Sequence, residues 1–253
     1  MAGLFGKRLL LGVLAAGAMV LARAENLVVF GDDSYAPVVF MREGKPAGIL
    51  VRILERAEAL TGDHYDIRLS PWKRAYELAA RGEGGVMGVS FNHDRARIFD
   101  FSKPVYDDDI QVVTLADKTF AFSQLSDLKG KLIGGVHGAS YGDAVDAAIA
   151  KGLISIERDV GQGGRLRKLL AGRLDAAFIG NGSVGLETAI ASEPMLRANR
   201  EQFAVLPKPL TVDPLHLAFA KSMDKAAAIA RFDAAVEKLR KSGELQRLQQ
   251  ALN

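Results

Sequence analysis

The chain contains no cysteine in 253 residues. Disulfides and thiolate chemistry are therefore excluded, and the fold depends on its apolar core alone. A lipidated N-terminal cysteine is excluded as well. Aromatics are sparse, with a single tryptophan, Trp72. No repeat or low-complexity tract occurs. The four histidines, His64, His93, His137 and His216, have no metal-ligand spacing, so neither a metal nor a cofactor is expected. Gly-x-Ser-x-Gly is absent, and Gly161-Gln162-Gly163-Gly164 lacks the lysine-serine/threonine ending of a phosphate loop. No catalytic residue is signalled. Beyond the N-terminus, no apolar run is long enough to span a bilayer.

The first 24 residues differ from the rest. Lys7 and Arg8 precede an apolar run from Leu9 to Leu21, and Ala22-Arg23-Ala24 follows. This is the layout of a secretory signal peptide cleaved after Ala24, and a membrane anchor would need a longer apolar run. Removal of Lys7, Arg8 and Arg23 leaves 30 basic residues against 30 acidic ones. A formally neutral mature chain lacks the basic field that a nucleic-acid or anionic-membrane partner needs. A freely diffusing periplasmic monomer is the expectation.

The remainder alternates between two periodicities. Leu27–Phe30, Val38–Met41, Tyr65–Leu69, Val86–Ser90 and Ile110–Leu115 read as strands. Ile49, Ile53, Leu54, Ala57 and Leu60 recur at helical spacing up to Gly62. Ser70-Pro71 reads as an N-cap followed by proline at the first helical position, for a helix running to about Arg81. The rhythm then restarts: a short helix over 126–130, strands over 132–136, 154–157, 175–179, 203–206 and 215–220, and helices over 140–150 and 166–171. A final helix carries Ile229, Phe232, Val236 and Leu239 on one face. Two α/β modules imply a cleft between them, where ligands favour the carboxyl ends of strands.

Several segments, taken in order, resemble the extracellular solute-binding proteins of polar amino-acid importers. Ser34-Tyr35-Ala36-Pro37 resembles their aromatic loop and Gly44–Gly48 their first hairpin. Arg95–Ser102 (RARIFDFS), followed by Lys103-Pro104-Val105-Tyr106, resembles their R-x-x-x-hydrophobic-x-F-S-x-P-Y signature with Val105 as an extra residue. Asp127–Gly138 resembles the entry to their second lobe, and Leu170–Ala176 their L-x-x-G-x-hydrophobic-D-A segment. Ser70–Ala75 (SPWKRA) is similar to a subgroup whose ligands are less well defined. The resemblance implies an α/β fold, periplasmic binding protein-like type II, with two lobes joined by a two-strand hinge. Lobe 1 is then 25–113 plus 212–253, and lobe 2 is 114–211. It also implies a membrane permease of an ABC importer as partner.

The resemblance places a carboxylate-binding arginine at Arg95, and a guanidinium offers a planar, permanently charged fork. The alternative is a surface arginine in a helix-opening loop. Ser90 ends a strand where its hydroxyl and backbone can face the same carboxylate, and Gly88 lets backbone approach the solute. Ser140 is placed at a helix start, as N-cap and as an anion contact from the opposite lobe. Tyr35 is expected to stack on the solute. Trp72 lines the cleft mouth or packs in the core, and His137 and Asn181 are lining candidates. One departure stands out. Relatives usually carry an acid for the ligand ammonium two residues after the phenylalanine of D-A-x-F, where this chain has Gly180. The solute is then an amino acid whose ammonium finds another acid, or an organic carboxylate without one. Asp107-Asp108-Asp109 is read as a solvated entry to the hinge. A dehydratase acting on prephenate-like acids and a sensory module docking on a membrane receptor are the competing functions.

Overall fold

A computed structural model describes residues 24–250, so the predicted signal peptide, apart from Ala24, lies outside the described residues. The first module opens with β1 (Asn26–Asp32), a small sheet of β2 (Ser34–Tyr35), β3 (Val39–Arg42) and β4 (Lys45–Ala47), and α1 (Ile49–Thr61). It continues through β5 (His64–Ser70), α2 (Trp72–Ala80), β6 (Gly85–Ser90), α3 (His93–Ile98) and β7 (Phe99–Phe101). The ten-residue strand β8 (Tyr106–Leu115) carries the chain into the second module. There β9 (Leu132–Val136), α4 (Asp143–Ala150), β10 (Ser155–Asp159), α5 (Gln162–Leu170), β11 (Ala176–Ile179), α6 (Gly182–Ala191), α7 (Pro194–Ala198) and β12 (Phe203–Val205) follow in turn. A second ten-residue strand, β13 (Thr211–Ala220), returns to the first module, which α8 (Ala226–Lys241) and α9 (Glu244–Gln250) complete.

The strand order is β10-β9-β11-β8-β13-β6-β1-β5, with β12 paired to β8 and β7 to β13. The two long strands therefore join the halves. Tyr106–Ile110 of β8 lies antiparallel to Thr211–Leu215 of β13. From Gln111 onward β8 pairs instead with β11 and β12. Each half has its own core. In the first, α1 and α8 bury Ile53, Leu54, Phe232 and Val236 against β1 and β5. In the second, strand alternation sends Val112 and Phe178 to one face of the sheet and Val113 and Ala177 to the other. Both faces are covered by apolar side chains, as expected for a sheet flanked by helices.

Three sequence expectations need correction. Ser70 is the last residue of β5, and Pro71 itself is the N-cap of α2, with extended ψ 134. The Ser70 hydroxyl is buried without a partner, so it caps nothing. The helix placed over 140–150 starts at Asp143, capped by Gly142, which leaves Ser140 in the preceding loop. β8 and β13 each begin four residues before the expected strand, because pairing with one another extends them.

Candidate functional site

The carboxyl ends of β1 and β6 in one half face β9, β11 and the start of α5 in the other. Between them lies a cavity of about 70 Å³. β6 is bulged opposite it: Met87 pairs with Leu217 and Val89 with His216, which leaves Gly88 between them at φ +75. A bulge of this kind turns backbone toward the cavity, and the positive φ favours glycine.

Ser90, at the end of β6, donates its hydroxyl to Asp213 at 2.6 Å. One hydroxyl has one proton, so its 3.5 Å approach to the Ser140 carbonyl adds little. Asp213 faces Asp108 across the β8–β13 ladder. Asp108 accepts from the Asn181 N–H at 2.6 Å and from the Tyr35 hydroxyl. Burial pushes the Asp213 carboxyl up to about 7, with the Asp108 charge adding to the rise and the Ser90 bond opposing it. Burial likewise pushes Asp108 up to about 6, against the hydrogen bonds from Tyr35 and Asn181. Asp32, at the end of β1, is also raised by burial and accepts from the Ser34 N–H and hydroxyl, both at 2.9 Å.

Two guanidiniums are buried at the site. Arg95 is 5% exposed, so it is not a surface residue. It donates to the Ser90 carbonyl at 3.0 Å and, across the cleft, to the Gly138 carbonyl at 3.2 Å. Its Cζ lies 5.0 Å from the Tyr76 ring centre and 5.9 Å from that of Trp72. Burial lowers its pKa, opposed by Tyr76, Asp146 and Asp213. Arg165, on the first turns of α5, is 1% exposed and lines the cavity. Its Nε and Nη1 have no hydrogen-bond partner, and Asp159 is 3.9 Å from Nη1.

Of the expected site residues, Tyr35, Trp72, Gly88, Ser90 and Ser140 line the cavity. Arg95 lies directly behind Ser90 rather than on the wall. Trp72 is both wall and core, and its Nε1 donates to the Gly138 carbonyl at 3.2 Å. Ser140 does not start α4; its hydroxyl donates to Asp146 and accepts from Asn92 Nδ2 at 3.0 Å. The N-terminus of α4 carries its own acids, Asp143 and Asp146, which already offset its partial positive charge. Asn181 is buried beside the cavity with its Oδ1 bound to the Tyr106 hydroxyl. His137 lines a separate outer groove with Lys73 and Arg74. The reading of Asp107–Asp109 as solvated is corrected at its centre, since Asp108 is 3% exposed and faces inward. Asp32, Asp213, Gln162 and Arg165 were missed. Strand alternation through the acid run, which turns neighbouring side chains to opposite faces, is the signal that could have marked Asp108 as inward-facing.

The geometry defines a class: a two-lobed α/β binding protein with a largely apolar cavity, set with a few buried charged groups, between lobes that two crossing strands connect. Residues 27–251 match the family described as bacterial extracellular solute-binding proteins, family 3, and the chain belongs to that family. It is 24% identical over 222 residues to a probable amino-acid-binding protein, YxeM, of Bacillus subtilis (strain 168), covering 84% of this chain and 78% of the relative. Among solved structures, a histidine kinase sensor domain with similarity to periplasmic binding proteins matches with TM-score 0.75 and 23% identity, covering 91% of this chain and 96% of the other. The substrate-binding protein of an amino-acid ABC transporter matches with TM-score 0.69 and 20% identity, covering 88% and 96%. The family is one of solute-binding proteins, and the likenesses to solved structures establish the shared fold.

Proposed function

We propose that this chain is the exported binding component of an ABC importer, and that it captures a small carboxylate-bearing solute, first of all an amino acid, without chemical conversion. The observation that carries this reading is Arg95. Its buried guanidinium holds a carbonyl from each side of the cleft, Ser90 from one and Gly138 from the other. A solute carboxylate entering beside Ser90 replaces the Gly138 carbonyl as acceptor and turns a neutral contact into a charge-assisted one. Ser90 and Ser140 border the same end of the cavity, and Tyr35 packs on the solute body. Lobe 1 is 25–113 plus 212–253 and lobe 2 is 114–211, hinged where β8 and β13 cross. The protein acts as a periplasmic monomer after cleavage at Ala24 and docks on the permease with its lobes closed.

A thermal-shift screen of amino acids and organic acids tests the reading. A solute at a hundred times its dissociation constant adds about 2.7 kcal/mol to stability. Hydrogen bonds to charged groups contribute roughly 1.5–3 kcal/mol, so Arg95→Ala weakens the best binder at least about tenfold in a calorimetric titration. Unchanged affinity in that variant defeats the assignment.

A second reading, a dehydratase on the same fold, is favoured by one observation. Asp213, pushed up to about 7 in the cleft, has the proton affinity of a general acid. Turnover of a cyclohexadienyl acid, followed by absorbance, separates enzyme from binder.

A further inference from the structure

Asp108 and Asp213 are register partners on the two strands that cross between the lobes, and both are buried on the cavity wall. Their donors are neutral: the Ser90 hydroxyl, the Asn181 N–H and the Tyr35 hydroxyl. No lysine or arginine forms an ion pair with either among the described residues. The charged and titratable groups facing Asp213 are Asp108 on β8, Arg95 on α3 and Asp146 on α4. Those facing Asp108 are Tyr35 on β2 and Asp109 and Tyr106 on β8. The same cavity holds the opposite deficit in Arg165, which is fully enclosed with two N–H-bearing atoms unpartnered. A pocket with a guanidinium whose one acid, Asp159, stands off at 3.9 Å without a hydrogen bond, and a carboxylate pair held only by neutral donors, suits a guest of both signs.

Gly180 makes the placement specific. A Cβ there would overlap the Tyr35 hydroxyl and lie 3.0 Å from Asp108 Oδ2. The space beside the end of β11, where the resemblance expects an acid, is thus filled by a tyrosine and a carboxylate from other strands.

We propose that Asp108 and Asp213 together form the receptor for the cationic group of a zwitterionic solute, and that its arrival displaces a proton held by the pair. This rests on the binding function proposed above. The carboxyl O–H gives its proton to solvent, and an ammonium N–H takes its place, so capture is coupled to pH. Burial raises both carboxyls, Asp213 to about 7 and Asp108 to about 6, so a proton is available to exchange near neutrality.

The test uses the mature protein and a panel of the common L-amino acids, each paired with its 2-hydroxy acid (L-alanine with L-lactate, for instance). Thermal shift finds the binders, and calorimetry from pH 5 to 8, in two buffers of different ionisation enthalpy, measures affinity and proton release. The amino member of the binding pair is expected to bind at least about tenfold tighter than the hydroxy acid. Its affinity falls about tenfold per pH unit below about 7, with protons released to buffer. Asp213→Asn removes most of both effects. A 2-hydroxy acid bound as tightly as its amino partner, or wild-type affinity in Asp213→Asn, overturns the proposal and leaves carboxylate capture standing. Silence from the whole panel overturns both.

Discussion

Asp213 is held in an environment that disfavours its charge. Its folded carboxyl is raised to about 7, while an unfolded chain ionises it near 3.9. Between those values the folded state keeps a proton that the unfolded state has lost, so stability falls as pH rises from about 4 to about 7. Above about 7 both states are ionised and the cost is constant. Asp213→Asn is therefore expected to melt higher than wild type at pH 8 without ligand, and to match it near pH 4. Melting curves at both pH values check this, and equal midpoints at pH 8 would contradict the assigned environment. Gly180 gives a second outcome at this scale. Gly180→Ala forces a methyl into the Tyr35 hydroxyl, and overpacking of this kind costs typically 1–3 kcal/mol. An acid introduced at 180 then weakens binding rather than improving it.

These residues also mark where the sequence stopped being legible. Arg95 could be placed because a local motif surrounds it. Arg165 follows a glycine-rich segment with no motif, and Asp213 precedes a proline in a stretch that shows no strand alternation. What holds Asp213 at the cavity is contact with residues far away in the chain, such as Ser90, which is 123 positions off.

Among the elements, those with a repeating apolar face were legible. α1 and α8 form where the spacing of Ile53, Leu54, Phe232 and Val236 puts them, because each helix buries one stripe against the same sheet. The lengths of β8 and β13 were not, since partners about a hundred residues apart set them. α8 is tied down a second time by a polar contact. Arg231 grips Asp63, just before β5, with Nε and Nη2 at 2.9 and 2.8 Å, and Nη2 also reaches Glu25 at 2.9 Å. Asp63 is 0% exposed and also accepts from the Glu25 N–H. Removing one partner of such a pair leaves a buried charge uncompensated. Arg231→Ala is thus expected to cost about 3 kcal/mol, measured as the shift of a urea midpoint at constant slope. A loss below about 1 kcal/mol would mean that the Glu25 amide alone satisfies Asp63.

Across the whole molecule, the lobes meet through side-chain contacts that span the cleft. Trp72 and Arg95 reach from one lobe to the single Gly138 carbonyl on the other, Asn92 reaches Ser140, and His93 reaches Asp143 at 2.5 Å. The last pair is largely solvated, with side chains 81% and 53% exposed, so its loss is expected to change affinity little. Trp72 differs because it is buried and is the only tryptophan in the chain. Rotation about β8 and β13 separates its Nε1 from Gly138 and brings water to the indole. A solute that binds the closed form better than the open form shifts the population toward closure in proportion to that difference. Emission at low ligand is therefore expected to lie to the red of emission at saturation, with a midpoint matching the calorimetric dissociation constant. Trp72→Phe serves as the dark control, and the radius of gyration from solution scattering should fall along the same curve. A ligand that titrates by heat while the Trp72 emission and the radius stay fixed would show that the cavity fills without movement of the lobes, and β8 and β13 would then be a rigid seam instead of a hinge.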